Sequence, residues 1–540
     1  MAGFRAILTI VVASIRYRWK DLVLTGVTYK IIGLILLAPL TSVLFRILLA
    51  ASGRAVLSDQ DILFFFLGPA GWFCFITIGA LALGIAAVEQ TALMAIIAST
   101  VQRIGVMGAL RFAAVNSWPV LQVTGRMVGW TLLTVAPFLI AAGAVYLSLL
   151  TEYDINYYLQ EKPPVFLFSL GLAAVLIVVL LAVLLRLFAG WFFALPLVVF
   201  EDVKPSQALR VSRERAHGHR RTLLLWILGW AVASSLLSTI ATAVLIGLGR
   251  FVVPRFAGSL ALLAVAIGVS LILWTLVNLA VNVLSTTAFA SMLFHLYRRF
   301  GSKGKFDTAR QNLEEAAASD PWFRFTRMRL AAVGMVGAVL AATVGVMTMH
   351  SVRLEDNCQV TAHRGSSAAA PENTLAAVKQ AIADGADWVE IDVQETADGE
   401  VVVFHDSDFM KLSGVNLKIW DATLNDLKDI DIGSWFAPQF NDERVPTLGK
   451  VLDECKGKAG VNIELKYYGH DQQLEQRVAE IVEAHDMVGE VVIMSLKIDA
   501  VRKMRSLRPD WKVGLLMSVA AGDMARIDAD FLAVNASFVN

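Results

Sequence analysis

Apolar and polar positions divide the chain into two unlike stretches. Up to about residue 350, long apolar blocks alternate with short charged joins. A helix needs roughly 20 apolar residues to cross the hydrocarbon core of a bilayer. Seven stretches reach that length: Ile31–Ala51, Pro69–Ala98, Val128–Leu150, Phe166–Leu185, Leu223–Leu248, Ser259–Thr287 and Leu330–Met349. Phe188–Phe200 is also apolar, so the fourth is expected to be longer, or broken at Pro196. Met1–Lys20 has only a short apolar run, Ala6–Ser14, between Arg5 and Arg16. It reads as an amphipathic helix on the membrane surface rather than a cleavable signal. Gly105–Val115 reads as a second such helix.

Beyond residue 358 the pattern shortens. Apolar runs typical of strands fall at Gln359–Ala362, Trp388–Gln394, Val401–Phe404, Val461–Leu465, Val491–Leu496, Val513–Met517 and Phe531–Val534. Amphipathic helices are predicted over Thr374–Asp384, Leu448–Lys456, Gln472–Ala484 and Ile498–Leu507, with Pro446-Thr447 as a start signal for the second. Strands separated by helices argue for a parallel sheet, and seven of them for a TIM-type (β/α) barrel. The expected organisation is an all-α transmembrane domain over 1–350, a linker over 351–357 and an α/β barrel over 358–540. A complete barrel uses about 250 residues. Only 183 run from Cys358 to Asn540, so the barrel is expected to be truncated after its seventh strand.

Composition agrees with this division. The 540 residues are 56% hydrophobic and 17% charged, against about 25% charge in ordinary soluble domains. The 47 basic and 46 acidic residues nearly cancel, which gives no electrostatic footprint for nucleic acid. The local distribution of charge is more informative. The joins after the second, fourth and sixth blocks carry Arg103, Arg111 and Arg126, then Lys204, Arg210, Arg213, Arg215, Arg220 and Arg221, then eight Lys or Arg between Arg298 and Arg329. Thr151–Pro164, after the third block, holds Glu152, Asp154 and Glu161 against Lys162 alone. By the positive-inside rule the N-terminus is cytoplasmic, and seven crossings put the C-terminal domain outside. Glu89 and Arg46 are expected to snorkel from span ends, and Asn278 and Asn282 to hydrogen-bond between helices. Spacing leaves open whether Cys358 and Cys455 form a disulfide.

The strand ends carry the candidate chemistry. The first ends in His363-Arg364-Gly365, the second carries Glu390 and Asp392, the third ends in His405-Asp406, and the fourth carries Glu464 and Lys466. Residues two apart on a strand share a face, so Glu390 pairs with Asp392 and Glu464 with Lys466. Three carboxylates suit a hard divalent cation. Two histidines suit proton transfer near neutral pH, and Arg364 and Lys466 suit a phosphate. Singly, each has a plain structural reading as a packed histidine or a salt bridge. Placed together at successive strand ends, they point to attack on a phosphodiester.

The ordered series His363-Arg364-Gly365, Pro371-Glu372-Asn373-Thr374, Glu390-Ile391-Asp392, His405-Asp406, Gly433-Ser434-Trp435-Phe436, Pro446-Thr447-Leu448 and Glu464-Leu465-Lys466 closely resembles the glycerophosphodiester phosphodiesterase family. The helical half resembles the membrane domain fused to this enzyme in some bacteria. The resemblance implies an integral protein of the bacterial plasma membrane that hydrolyses glycerophosphodiesters to an alcohol and sn-glycerol 3-phosphate. It implies His363 and His405 as general acid and base, and Glu390, Asp392 and Glu464 as ligands of Ca²⁺ or Mg²⁺. Arg364 and Lys466 would contact phosphate, with Glu372 and Asn373 supporting the site. An insertion over 407–441 would choose the substrate through Trp435 and Phe436. The substrate's own neighbouring hydroxyl would attack phosphorus first, and water would then open a cyclic phosphate. Two alternatives stand beside this reading: cleavage of intact membrane lipids at the same site, and a non-catalytic membrane scaffold or transporter with a diester-binding barrel.

Overall fold

The apolar blocks fold as helices. A computed structural model describes residues 2–51, 56–58, 68–99, 104–256, 260–302, 359–517, 520–522 and 527–534. Among these, six helices are long and apolar enough to cross a membrane: Leu8–Leu44, Gly71–Ala98, Ser117–Leu149, Pro164–Glu201, Arg220–Phe256 and Val265–Gly301. They contain or overlap the first six expected spans. The seventh, Leu330–Met349, lies outside the described residues, as do the linker and Cys358. The N-terminal segment joins the first span in one helix, Ala2–Ala51, broken at Arg18 (φ −116°, ψ 17°). The Arg18 guanidinium donates to the Ile104 carbonyl at 2.5 Å and fixes that break.

The fourth span breaks at Phe192-Phe193, between helices Pro164–Trp191 and Ala194–Glu201. Pro196 therefore sits in the first turn of the second piece, where its missing N–H leaves no bond unmade. Glu89 is buried, and Lys30 of the first helix donates to it at 2.7 Å. A paired carboxylate does not need to snorkel. Asn278 bonds the Trp274 carbonyl of its own helix.

The chain forms two compact units. One comprises Met1–Leu44, Phe73–Ile140 and Val175–Val339; the other Phe45–Trp72, Ala141–Ala174 and Leu340–Asn540. The second unit holds the strands: β1 (Val56–Ser58), β2 (Thr361–Ala362), β3 (Trp388–Glu395), β4 (Val401–Val403), β5 (Asp408–Phe409), β6 (Val415–Lys418), β7 (Gly460–Leu465), β8 (Val491–Ser495), β9 (Val513–Met517), β10 (Ala520–Gly522) and β11 (Phe531–Val534). The order β2-β3-β7-β8-β9-β11 is parallel throughout and makes a half-barrel. β5 pairs with β6, and β1 with β10, both antiparallel.

All seven expected strands are present, but β4 is not parallel to the rest. It runs back against β3, with Glu395 opposite Val401 and Val393 opposite Val403. The connection is far too short for the dozen or more residues that a parallel crossover needs.

Alternation along β3 sorts its two faces. Val389, Ile391 and Val393 enter the apolar core with Val461, Ile463 and Leu465 of β7. Helices cover that side through one stripe each. Leu448–Cys455 buries Leu448, Val451, Leu452 and Cys455; Leu474–Ala484 buries Leu474, Val478, Ala479 and Val482. These spacings are one face of a 3.6-residue helix, and each large aliphatic so buried contributes about 1.5–3 kcal/mol. Cys455 is a buried free thiol, and burial pushes its pKa up to about 12. The other face of β3 presents Glu390, Asp392 and Gln394, all buried. The insertion has its own small core, built on Phe404, Phe409, Leu412, Ile419 and Leu427.

Candidate functional site

The chain leaves β2 through a tight left-handed turn. Arg364 has φ +55° and Gly365 φ +78°. A Cβ on Gly365 would lie 2.7 Å from the Ala377 backbone carbon, so only glycine fits there. The Arg364 N–H donates to Glu390 Oε2 at 2.7 Å, and the Gly365 N–H to the Glu390 carbonyl at 3.1 Å. This anchors His363 with Nε2 3.8 Å from the same carboxylate oxygen. Burial and the Arg364 cation hold the His363 imidazole below its ordinary pKa.

Glu390, Asp392 and Glu464 each place one carboxylate oxygen within 4.8 Å of the other two. All three residues are buried. Glu390 Oε1 has no hydrogen-bond partner, and Asp392 Oδ1 has only the Lys466 ammonium beside it. A buried carboxylate oxygen left without a donor, in an all-oxygen set, fits a hard divalent cation. Burial and the neighbouring Asp392 push the Glu390 carboxyl up to about 8. Asp392 stays below the usual carboxylate range: burial opposes ionisation, but Lys466, His405 and Arg364 outweigh it. Asn373, itself at φ +58°, donates to Asp392 Oδ2 at 2.8 Å and accepts the Asp392 N–H at 3.2 Å.

The two cations expected at phosphate are also bound to the acids. Lys466 Nζ lies 2.8 Å from Glu464 Oε1 and 3.2 Å from Asp392 Oδ1. The Arg364 guanidinium lies 3.3 Å from Asp392 and 3.1 Å from Glu372. Glu372 also holds Lys411 of the insertion at 2.9 Å. Trp435 and Phe436 pack edge to face at 5.7 Å, Phe436 meets Phe440 at 5.6 Å, and the Trp435 indole donates to the Ile432 carbonyl.

His405 reaches this locus because β4 returns along β3: the Phe404 N–H donates to the Asp392 carbonyl at 2.9 Å. Its Nδ1 lies 2.5 Å from Asp406 Oδ1, which leaves Nε2 for other work. Burial would raise the Asp406 carboxyl, but the His405 hydrogen bond and the Lys411 cation hold it below its ordinary value. Gln394 and Tyr468 complete the support. Gln394 Nε2 donates to the carbonyls of Phe404, His405 and Asp406 at 2.8, 3.2 and 2.8 Å. The Tyr468 hydroxyl donates to the His405 carbonyl at 2.8 Å. Sequence reasoning assigned no role to Gln394, Asp406, Lys411 or Tyr468. Gln394 had a signal, since it continues the Glu390, Asp392 alternation by two residues.

Three carboxylates thus converge on one face of a parallel β/α sheet, with His363, Arg364 and Lys466 beside them and His405 brought in by the antiparallel β4, on a chain with helices of membrane length. Known families match both parts. The model described as "Membrane domain of glycerophosphoryl diester phosphodiesterase" matches residues 8–348, and "Glycerophosphoryl diester phosphodiesterase family" matches 363–539. The Bacillus subtilis protein YhdW is 34% identical over 183 residues, covering 34% of this chain and 74% of the relative. A glycerophosphodiester phosphodiesterase of Caldanaerobacter subterraneus is 37% identical over 163 residues, covering 29% of this chain and 65% of the relative. An Oleispira antarctica phosphodiesterase, solved with its product sn-glycerol-3-phosphate, is 32% identical, with a TM-score of 0.32 over 34% of this chain and 77% of that one. The chain belongs to the glycerophosphodiester phosphodiesterase family, in the form that carries a membrane domain.

Proposed function

We propose that this chain hydrolyses glycerophosphodiesters to an alcohol and sn-glycerol 3-phosphate on the outer face of a bacterial plasma membrane. The observation that carries the reading is the buried carboxylate triad within 4.8 Å, with Glu390 Oε1 left without a donor. Glu390, Asp392 and Glu464 would hold Ca²⁺ or Mg²⁺, and that ion, when bound, supplies positive charge to the phosphoryl oxygens. Arg364, steadied by Glu372, and Lys466 add to that charge.

His363, its pKa held below the ordinary value, is neutral at pH 7 and takes the proton of the substrate hydroxyl beside the phosphate. That oxygen bonds to phosphorus, the bond from phosphorus to the alcohol oxygen breaks, and His405 Nε2 protonates the leaving oxygen. The roles then reverse. His405 takes a proton from water, the water oxygen opens the cyclic phosphate, and His363 returns its proton to the released hydroxyl.

The test is release of sn-glycerol 3-phosphate from glycerophosphocholine by the full chain with Mg²⁺ or Ca²⁺, with EDTA, and against intact phosphatidylcholine. Release that needs the cation is the expected result. Turnover unchanged by EDTA would remove the metal, and cleavage confined to the intact lipid would favour the lipid-cleaving reading.

The outward placement of the catalytic domain is supported by chain parity as well as loop charge. Asp154, after the third span, bonds Ser407 and Asp408 within one compact unit, so those segments share a side. Three spans separate Asp154 from the N-terminus, and three more bring Gly301 back to the N-terminal side. One further crossing between 302 and 359 is then required, where the apolar run Leu330–Met349 lies. Alkaline phosphatase fused after residue 350 should be active, and the same fusion after Ser302 inactive. The opposite pattern would reverse the orientation.

A further inference from the structure

The acidic segment between the third and fourth spans is bonded into the catalytic domain. The Asp154 N–H donates to Asp408 Oδ2 at 3.0 Å, and the Ser407 N–H donates back to Asp154 Oδ2 at 3.3 Å. Each residue thus satisfies a backbone donor of the other segment, across some 250 residues of sequence. Asp408 is fully buried; its carboxylate also takes Lys418 Nζ at 2.7 Å and the Met410 N–H at 3.1 Å. Asn416 Nδ2 donates to the Tyr153 hydroxyl at 3.4 Å, and Lys418 Nζ stands 5.8 Å from the Tyr153 ring centre. The segment is itself braced. Tyr153, Tyr157 and Tyr158 pack on one another, and Tyr158 stacks on Phe166 at the start of the fourth span.

We infer that Asp154 is a positioning residue for the reaction, through which the membrane domain fixes the placement of His405. The inference rests on the proposed role of His405. Ser407 is two residues beyond it, and the intervening Asp406 makes the bond to its Nδ1. From the upstream side His405 is held by the β3–β4 ladder, Gln394 and Tyr468. Downstream, the exchange with Asp154 ties the chain at the first residues of the insertion. A buried Ser407 N–H without its acceptor would seek another one, and the strand end would shift with it. Displacements of about 1 Å at such a distance from the chemistry can lower a rate by about 10²-fold. The same bonds make the segment around Tyr153 and Asp154 a structural part of the insertion.

In the full chain, Asp154→Ala should lower kcat by about 10- to 100-fold with a smaller change in KM. Asp154→Asn, whose side-chain oxygen still accepts the Ser407 N–H, should recover most of that loss. Amide exchange should quicken across 405–418 in the alanine variant while β7 stays protected. Wild-type kcat in Asp154→Ala, an asparagine variant as slow as the alanine one, or unchanged exchange across 405–418 would each overturn the inference. If the alanine variant loses protection throughout, the asparagine variant decides by the same two readouts. The exchange measurement needs no turnover, so it stands even if the hydrolytic reading fails.

Discussion

Replacing His405 with alanine should lower kcat by about 10²–10⁴-fold and leave the melting temperature within a few degrees of the parent. The size of the effect follows from what the ring contributes. Its Nδ1 is committed to Asp406, so Nε2 is the atom available to carry a proton to and from oxygen. The resistance of the fold follows from what holds this stretch. Gln394 and Tyr468 bind backbone carbonyls, which an alanine still provides. Phe404, next in the chain, stays buried in the insertion's core. Initial rates on glycerophosphocholine, with a thermal melt of the same sample, check both halves. A rate within threefold of the parent would remove His405 from proton transfer, and a collapsed melt would make it structural.

The second large effect is on cation affinity. Glu390 is pushed up to about 8 by burial and by Asp392. Below that pH it carries a proton, which an arriving cation has to displace. Apparent affinity for Mg²⁺ or Ca²⁺ should therefore rise about tenfold per pH unit towards pH 8 and flatten above it, with about one proton released per ion bound at pH 6–7. Calorimetry in two buffers of different ionisation enthalpy counts that proton. Glu390→Gln should weaken binding and abolish the slope. Flat affinity from pH 6 to 8 in the parent would mean that Glu390 is already ionised. Without the ion, the sign for stability is the reverse of the usual acid case. The unfolded glutamate ionises from about pH 4.3, while the folded one keeps its proton towards 8, so this group's contribution to stability falls as pH rises between those values.

The strands were legible because each is a short run of β-branched and aliphatic residues between turn signals. The helices were legible because their buried positions recur at three and four. The triad was legible because Glu390 and Asp392 share a face, and Glu464 opens a two-residue step to Lys466. The direction of β4 was missed, although the brevity of Thr396–Glu400 carries it. A Glu464–Lys466 ion pair was among the plain readings of the strand ends, but that Lys466 and Arg364 both reach Asp392 was not legible: the two were read as phosphate contacts, and both already neutralise buried acids. That depends on how three carboxylates are desolvated together, which no single stretch of sequence records. The bonds from Asp154 lay beyond pattern reading for another reason. They join segments in two differently composed halves, and nothing local to either announces the other.

The reversed strand makes one short bend a measuring device. With β4 zipped to β3, how far His405 travels before it stops is set by the residues from Thr396 to Glu400. Because neighbouring strand positions face opposite ways, a single residue added to that bend would turn Val401 and Val403 out of the main apolar core and move His405 off its place at the strand's end. The length of five unremarked residues is therefore as much a part of this enzyme's specification as the histidine whose depth it sets.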